Sequence, residues 1–435
     1  MPQGTSERPA SIAFADLEFP EFSPAVREML DAMATMGADV VLEVEALTTA
    51  ARAATGLNDF GHDPSFFDRL DALLGAFRND ANLSDAGRFT SSTQVGQILA
   101  NRLLVTDFVK RHPAVRDTAI VAPIIIVGLP RTGTTHLHNL MAADPTLRSL
   151  PYWESLEPVP TLAEQRGKQP DQRQDRCQGG IWFIDEAMPE FRRMHEMTVE
   201  HVHEEIQLLA VDCSTMLFET ATCSPMWRDY YKAHDQQPSY DYLKLLLQVC
   251  QYQRSGTMAR EGGHPRWVLK SPQHLEQIPA VMRTFPDATV VFTHRDPAAV
   301  VASFVTMSAY TARISHQPPI DLHHIGTYWR DRILDLYEGC VRDRALVPAA
   351  QSIDIHFDDF MSDDIAMVER VYAVAGQPFE AETRAAMAAF MDHHPRGKFG
   401  GVEYELQQFG LDASDIRSRA NKYINCFYVN LEDRW

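Results

Sequence analysis

Cysteine is scarce and unpatterned in this sequence: Cys177, Cys213, Cys223, Cys250, Cys340 and Cys426 are scattered, with no CxxC pair. That excludes a disulfide framework and a cysteine zinc site, and points to reduced thiols in a cytoplasmic setting. Long apolar runs are also missing. The longest, from Ala119 to Pro130, is too short to span a bilayer and ends in a glycine loop, so it reads as a buried strand. The start, MPQGTSERPASIAF, has neither the basic beginning nor the apolar centre of a secretory signal. Positive charge is in deficit as well, with 40 Lys and Arg against 59 Asp and Glu, a net charge of −19. Such a field repels DNA, RNA and heparin-like chains, so an anionic ligand must be met by a local cluster of cations. No repeat or long low-complexity tract occurs. What is left is an ordinary globular composition, 45% hydrophobic and 23% charged. Its 435 residues can bury one large domain with an appendage.

Two textures divide the chain. Residues 1–115 carry helix signals, with Ser23-Pro24 before AVREMLDAMATM, then SFFDRLDALLGAFRND, then TQVGQILANRLLVTDFVKRH. They form a helical N-terminal region expected to pack on, or lid, the remainder of the chain. Residues 116–435 alternate strand, loop and helix. Strands are predicted at Ile124–Val127, Trp267–Leu269, Thr289–Thr293 and Ser352–His356, which implies an α/β fold with a parallel sheet flanked by helices. Ligands of such sheets sit at the carboxyl ends of strands, and three of those ends carry a cation: Arg131, Lys270 and Arg295. The middle, residues 150–260, reads as mainly helical.

The stretch PIIIVGLPRTGTTHLH almost spells a P-loop, GxxxxGK[ST], but Thr134 stands where that loop has lysine. Gly128 and Gly133 permit a tight turn whose N–H groups face an oxyanion at a helix start. Arg131, Thr132, Thr134 and Thr135 add donors there. In THRDPAAVVASF, Asp296 is a good N-cap and Pro297 a good first helical residue. Arg295 then lies at a strand end and Ser303, eight residues on, lies on the second helical turn, where both can reach one anion.

LPRTGTTHLH followed by HRDPAAVVAS resembles the paired signature of sulfotransferases that use 3′-phosphoadenosine 5′-phosphosulfate, PAPS. The resemblance covers residues 118–435 and is to the arginine-loop branch. That branch includes tyrosylprotein sulfotransferases and a large bacterial group; cytosolic small-molecule enzymes carry lysine at position 131 and tryptophan at 136. It implies a P-loop-type sheet, a first loop (Arg131 to Thr135) holding the 5′-phosphosulfate, and Arg295 with Ser303 on the 3′-phosphate. It further implies that Lys270 faces the bridging oxygen of the donor and that Glu154 is the catalytic base, with a salt-bridge carboxylate as the competing reading of Glu154. HHPRGKFGGVEYELQQFGL resembles the segment that closes over the 3′-phosphate and adenine, making Arg396, Gly397 and Lys398 candidates against a plain solvated loop.

Sulfuryl transfer asks for positioning, for cations where the leaving oxygen gains charge, and for a base to take the acceptor proton. With no β,γ-phosphate in the donor, a Walker lysine and a metal ion have no role, and none is expected. His136, His138 and the 201–205 cluster are rival bases to Glu154. MHEMTVEHVHEEIQ is rich in metal-ligating residues but lacks the HExxH spacing, so a polar helix face is expected there. Tyr152, Trp153 and Phe183 read as either an acceptor wall or core, and His294 and Asp296 as structural. The expected activity is sulfuryl transfer from PAPS to a hydroxyl or phenol of a small-molecule or lipid acceptor in the cytoplasm. The alternatives are a P-loop kinase or NTPase, against which the missing lysine argues, and a non-catalytic nucleotide-binding homologue.

Overall fold

The computed structural model describes residues 9–258 and 265–435. The first eight residues of the N-terminal region therefore lie outside the described residues. The helical reading of that region holds for four helices: α1 (Pro24–Gly37), α2 (Val44–Thr55), α3 (Phe66–Asn79) and α4 (Asp85–Arg111). Local chemistry starts them. Ser23 and Ser84 cap α1 and α4 by accepting from the N–H groups of Val26 and Gly87, and Pro24 sits where its missing donor costs nothing. Apolar residues of α2, α3 and α4 (Ala51, Leu70, Leu99) share a core with Phe218, Trp227 and Tyr231 of the middle segment. The region therefore packs on the rest of the protein as a buttress. The stretch before α1 reaches toward the site, where Ile12 bridges Val402 and Ala10 O accepts from Arg193 Nη1 at 3.0 Å.

The predicted parallel sheet has five strands: β1 (Ile124–Val127), β2 (Leu147–Arg148), β5 (Arg266–Lys270), β6 (Thr289–His294) and β7 (Ser352–His356), in the order β2-β5-β1-β6-β7. Two further short strands, β3 (Leu150–Pro151) and β4 (Val202–His203), pair antiparallel outside it. β1 is central, in register with β5 (Ile126 beside Lys270) and β6 (Val127 beside Phe292). Its side chains alternate between two cores. Ile124 and Ile126 face Leu137, Leu140 and Met141 of helix α5 (Thr134–Ala142), while Ile125 and Val127 face the core holding Phe292 and Val300. A sheet covered on both faces explains the unbroken apolar run. Because β5, β1 and β6 are neighbours, the three strand-end cations gather at one edge of the sheet.

Candidate active site

The loop after β1 is built around close approach. A Cβ at Gly128 would lie 1.9 Å from Thr293 Oγ1 of β6, so only glycine lets the two strand ends meet. Gly133, at φ 89°, turns the chain into α5. Arg131 also has a left-handed backbone, φ 72°, a conformation that costs a non-glycine residue on the order of 1 kcal/mol. It is held from both sides. Its carbonyl accepts from Arg295 Nη1 at 2.6 Å, and its own Nη1 donates to Met194 O at 3.0 Å. Arg131 Nε is buried with no hydrogen-bond partner among the described residues.

The β6 cation is fixed likewise. Arg295 Nε donates to Glu432 Oε1 at 2.6 Å, and its guanidinium lies 3.9 Å over the Phe357 ring. Asp296 caps the following helix, Pro297–Ala312, by accepting from Ala298 N at 2.9 Å. Ser303 lies on that helix with its Oγ buried and without a partner among the described residues. At the end of β5, Lys270 is buried and its Nζ donates to Glu204. Its backbone N–H is taken by Glu205 Oε2 at 2.9 Å. Glu205 also pairs with His274 Nε2 at 2.6 Å. Burial works against ionising Glu205, but the His274 and backbone bonds outweigh it and hold the carboxyl below its ordinary value.

These groups border a cavity of about 620 Å³. Its polar end carries Arg131, Gly133, Thr134, Thr135, His136, Glu204, Arg295, Arg396, Gly397 and Lys398. Its other wall is apolar and rich in methionine: Met188, Met194, Met197, Met216, Met307, with Phe191 and Phe304. Arg396 Nη2 donates to Asp364 Oδ2 at 2.6 Å, and Lys398 pairs with Glu196 at 2.7 Å.

A model of the Sulfotransferase family matches residues 123–381 of the sequence. The chain belongs to the sulfotransferase family. Curated relatives are the omega-hydroxy-beta-dihydromenaquinone-9 sulfotransferases Stf3 of Mycobacterium bovis and Mycobacterium tuberculosis. Each is 25% identical over 283 residues, which cover 60% of this chain and 65% of the relative's own length. Among solved structures, sulfotransferase STF1 of Mycobacterium tuberculosis H37Rv is 28% identical, with a TM-score of 0.74 over 87% of this chain and 98% of its own. Sulfotransferase STF9 of Mycobacterium avium, 24% identical over 91% of this chain and 99% of its own with a TM-score of 0.79, shares the fold.

Within this sulfotransferase-family site, several residues stand elsewhere than the sequence suggested. Glu154 does not line the cavity. It sits in the short helix Tyr152–Leu156, where Tyr152 turns toward the cavity and Glu154, two residues on, turns to the opposite side. There it is buried against Arg148 Nη2 at 3.2 Å and Arg254 Nε at 3.4 Å, so the salt-bridge reading of Glu154 describes its place. Thr132 faces inward: its hydroxyl donates to Leu129 O at 2.7 Å and lies 2.6 Å from Thr293 Oγ1, bracing the loop. Ser303 and Lys270 stand behind the cavity surface, Lys270 reaching it through Glu204. His136 lines the cavity, but its Nε2 is 2.9 Å from Asp364 Oδ2, and burial lowers its pKa. His138 is a packed helix residue, 3.3 Å from Val268 O, with burial and then Lys270 lowering its pKa to about 3. Trp153 and Phe183 lie outside the cavity lining, whereas Tyr152 is part of it. His294, 2.9 Å from Tyr423 Oη and 3.0 Å from Asp354 Oδ1, braces the end of β6.

The expected polar helix at 195–205 is not one. The segment runs through a turn into β4, where His203 pairs with Leu150 and His201 O accepts from Tyr152 N at 2.9 Å. Pairing with β3 pins residues 201–204 to the cavity wall. Glu432 and Asp364, which hold Arg295 and the pair His136 and Arg396, went unnoticed in the sequence; neither sits in a motif.

Proposed function

We propose that this protein moves a sulfuryl group from PAPS to the hydroxyl of an apolar, lipid-like alcohol or phenol. The observation that carries the reading is the pair of buried Lys270 with partly buried Glu204, the glutamate lining the same cavity as the arginine loop. Glu204, and not Glu154, takes the role of the base. As the acceptor hydroxyl attacks, its proton passes to the Glu204 carboxylate, an O–S bond forms, and the bond between sulfur and the bridging oxygen breaks. Arg131 and Lys270 stabilise the charge that this oxygen gains. Arg131, Gly133, Thr134 and Thr135 are assigned to the 5′-phosphosulfate. Arg295 and Ser303 are assigned to the 3′-phosphate, with Arg396, Gly397 and Lys398 closing over the nucleotide. Their unfilled donors support this: Arg131 Nε and Ser303 Oγ are buried with no partner among the described residues, a costly state that a phosphate or sulfate oxygen relieves.

The methionine-rich wall suits a flexible apolar acceptor, since thioether side chains adapt to irregular apolar shapes. The name of the Stf3 relatives, a hydroxylated dihydromenaquinone, belongs to that class. No helix among the described residues is long and apolar enough to cross a membrane, so a lipid acceptor would be met at a surface. The test is transfer of label from PAPS to a panel of hydroxylated isoprenoid quinones, phenols and fatty alcohols, beside binding of 3′,5′-adenosine bisphosphate. Apolar acceptors are expected to be labelled in preference to sugars or tyrosyl peptides. Binding of ATP with magnesium in place of the bisphosphate would overturn the reading.

A further inference from the structure

Most buried histidines of this protein have an assigned partner. His136 meets Asp364, His274 meets Glu205 and Tyr240, His294 meets Asp354 and Tyr423, and His138 meets a carbonyl. Three other histidines, His203 buried and His195 and His201 half-buried, stand together. His195, His201 and His203 each turn one ring nitrogen toward the others, all within 4.8 Å of one another. Their rings meet edge to face: 5.0 Å and 76° between His195 and His201, 5.7 Å and 64° between His201 and His203. Phe191 and Tyr152 pack against the outer members, 5.9 Å from His195 and 4.6 Å from His203. His203 Nδ1 is buried with no hydrogen-bond partner. No carboxylate of the described residues pairs with any of the three rings.

We infer that His195, His201 and His203 form a binding site for a divalent transition metal of the zinc class. Imidazole nitrogens are preferred ligands of such ions, and three of them leave a fourth position open. All three residues line the cavity, so the open position faces the apolar chamber beside Glu204. A tetrahedral zinc site, with Zn–N near 2.0–2.1 Å, separates its nitrogens by about 3.4 Å. The nitrogens stand within 4.8 Å of one another, so holding an ion requires them to draw closer, and His195 and His201 are the half-buried members of the three. Lys270 and Arg131 repel a cation here, and Glu204 beside Lys270 offsets them. An ion held by these residues would supply Lewis acidity toward an acceptor hydroxyl, with Glu204 still the group that takes the proton. The sequence spacing concealed this site, because its residues converge through the β3–β4 pairing and not along a helix.

The test needs neither donor nor acceptor, so it stands apart from the transfer reaction. The untagged full chain, stripped with chelator, is titrated with Co²⁺ while visible absorption is followed, and with Zn²⁺ in competition. One ion per chain with the intense spectrum of a four-coordinate, nitrogen-rich site is expected. His203→Ala is expected to weaken binding more than about 100-fold, since even outer partners of a ligating histidine are worth 10–100-fold. His201→Ala, at a half-buried position, should do the same with the thermal unfolding of the metal-free chain preserved. No binding, an oxygen-rich six-coordinate spectrum, or binding that survives both substitutions would overturn the inference.

Discussion

Ser303→Ala separates a nucleotide contact from a structural one. The Ser303 hydroxyl is buried and unpartnered, so in the unliganded protein it stabilises nothing. Leaving a buried hydroxyl unsatisfied costs about 1–3 kcal/mol, and alanine removes that cost. The Tm of the unliganded variant is therefore expected to hold or to rise. With the 3′-phosphate bound, the same hydroxyl donates to a charged oxygen, worth about 1.5–3 kcal/mol. At about 1.36 kcal/mol per decade, its loss weakens 3′,5′-adenosine bisphosphate by about 10- to 150-fold. Calorimetric titration with the bisphosphate and with 5′-AMP, which lacks the 3′-phosphate, makes the comparison internal. The variant should lose affinity for the first and keep it for the second. Equal losses for both ligands would refute the assignment, as would undiminished bisphosphate binding. A lower Tm would show that Ser303 supports the helix Pro297–Ala312 instead.

Glu432→Gln should tighten the bisphosphate several-fold in the same titration, because the Glu432 carboxylate pairs with Arg295 at 2.6 Å and must be displaced or shared by a phosphate. Glu204→Gln should lower turnover by about 10²–10⁴-fold, the usual worth of a general base, with bisphosphate binding retained. Glu154→Gln should leave turnover within a few-fold and lower the Tm, because Arg148 is buried against that carboxylate. Single-turnover transfer and thermal unfolding of the two variants side by side check both. Asp354 is held down to about 2: burial opposes its ionisation, and the His294 and Arg344 bonds outweigh it. A carboxyl with a depressed folded pKa contributes stability that is present above its unfolded value of about 3.9 and lost as pH falls toward the folded one. Asp354→Asn should therefore flatten the acid side of the stability curve between about pH 4 and about pH 2, as read by denaturant unfolding at stepped pH.

What was legible in the sequence was local. Ile124–Val127 and Ser352–His356 are strands over the predicted residues because apolar residues run together between turn signals. The Asp296 cap and the Gly133 turn likewise act within a few residues of themselves. β2 escaped because two residues, Leu147 and Arg148, carry no period at all. Long-range pairings escaped for a related reason: Arg295 meets Glu432 across 137 residues, and nothing near either of them announces it.

The two glutamates show how far such reasoning reaches. In the sequence, Glu154 and the 201–205 cluster are rival candidates for the base, beside His136 and His138. Spacing along the chain cannot choose between them. Topology can, because β4 pairs with β3 so that Leu150 lies beside His203. That register carries residues 201–204 onto the cavity wall next to Tyr152. The helix that starts at Tyr152 then rotates Glu154 away, to Arg148 and Arg254. The same pairing gathers His195, His201 and His203. The acid that meets Lys270 and the histidines beside it thus depend on a two-residue β-ladder, too short to leave a trace in hydrophobic periodicity.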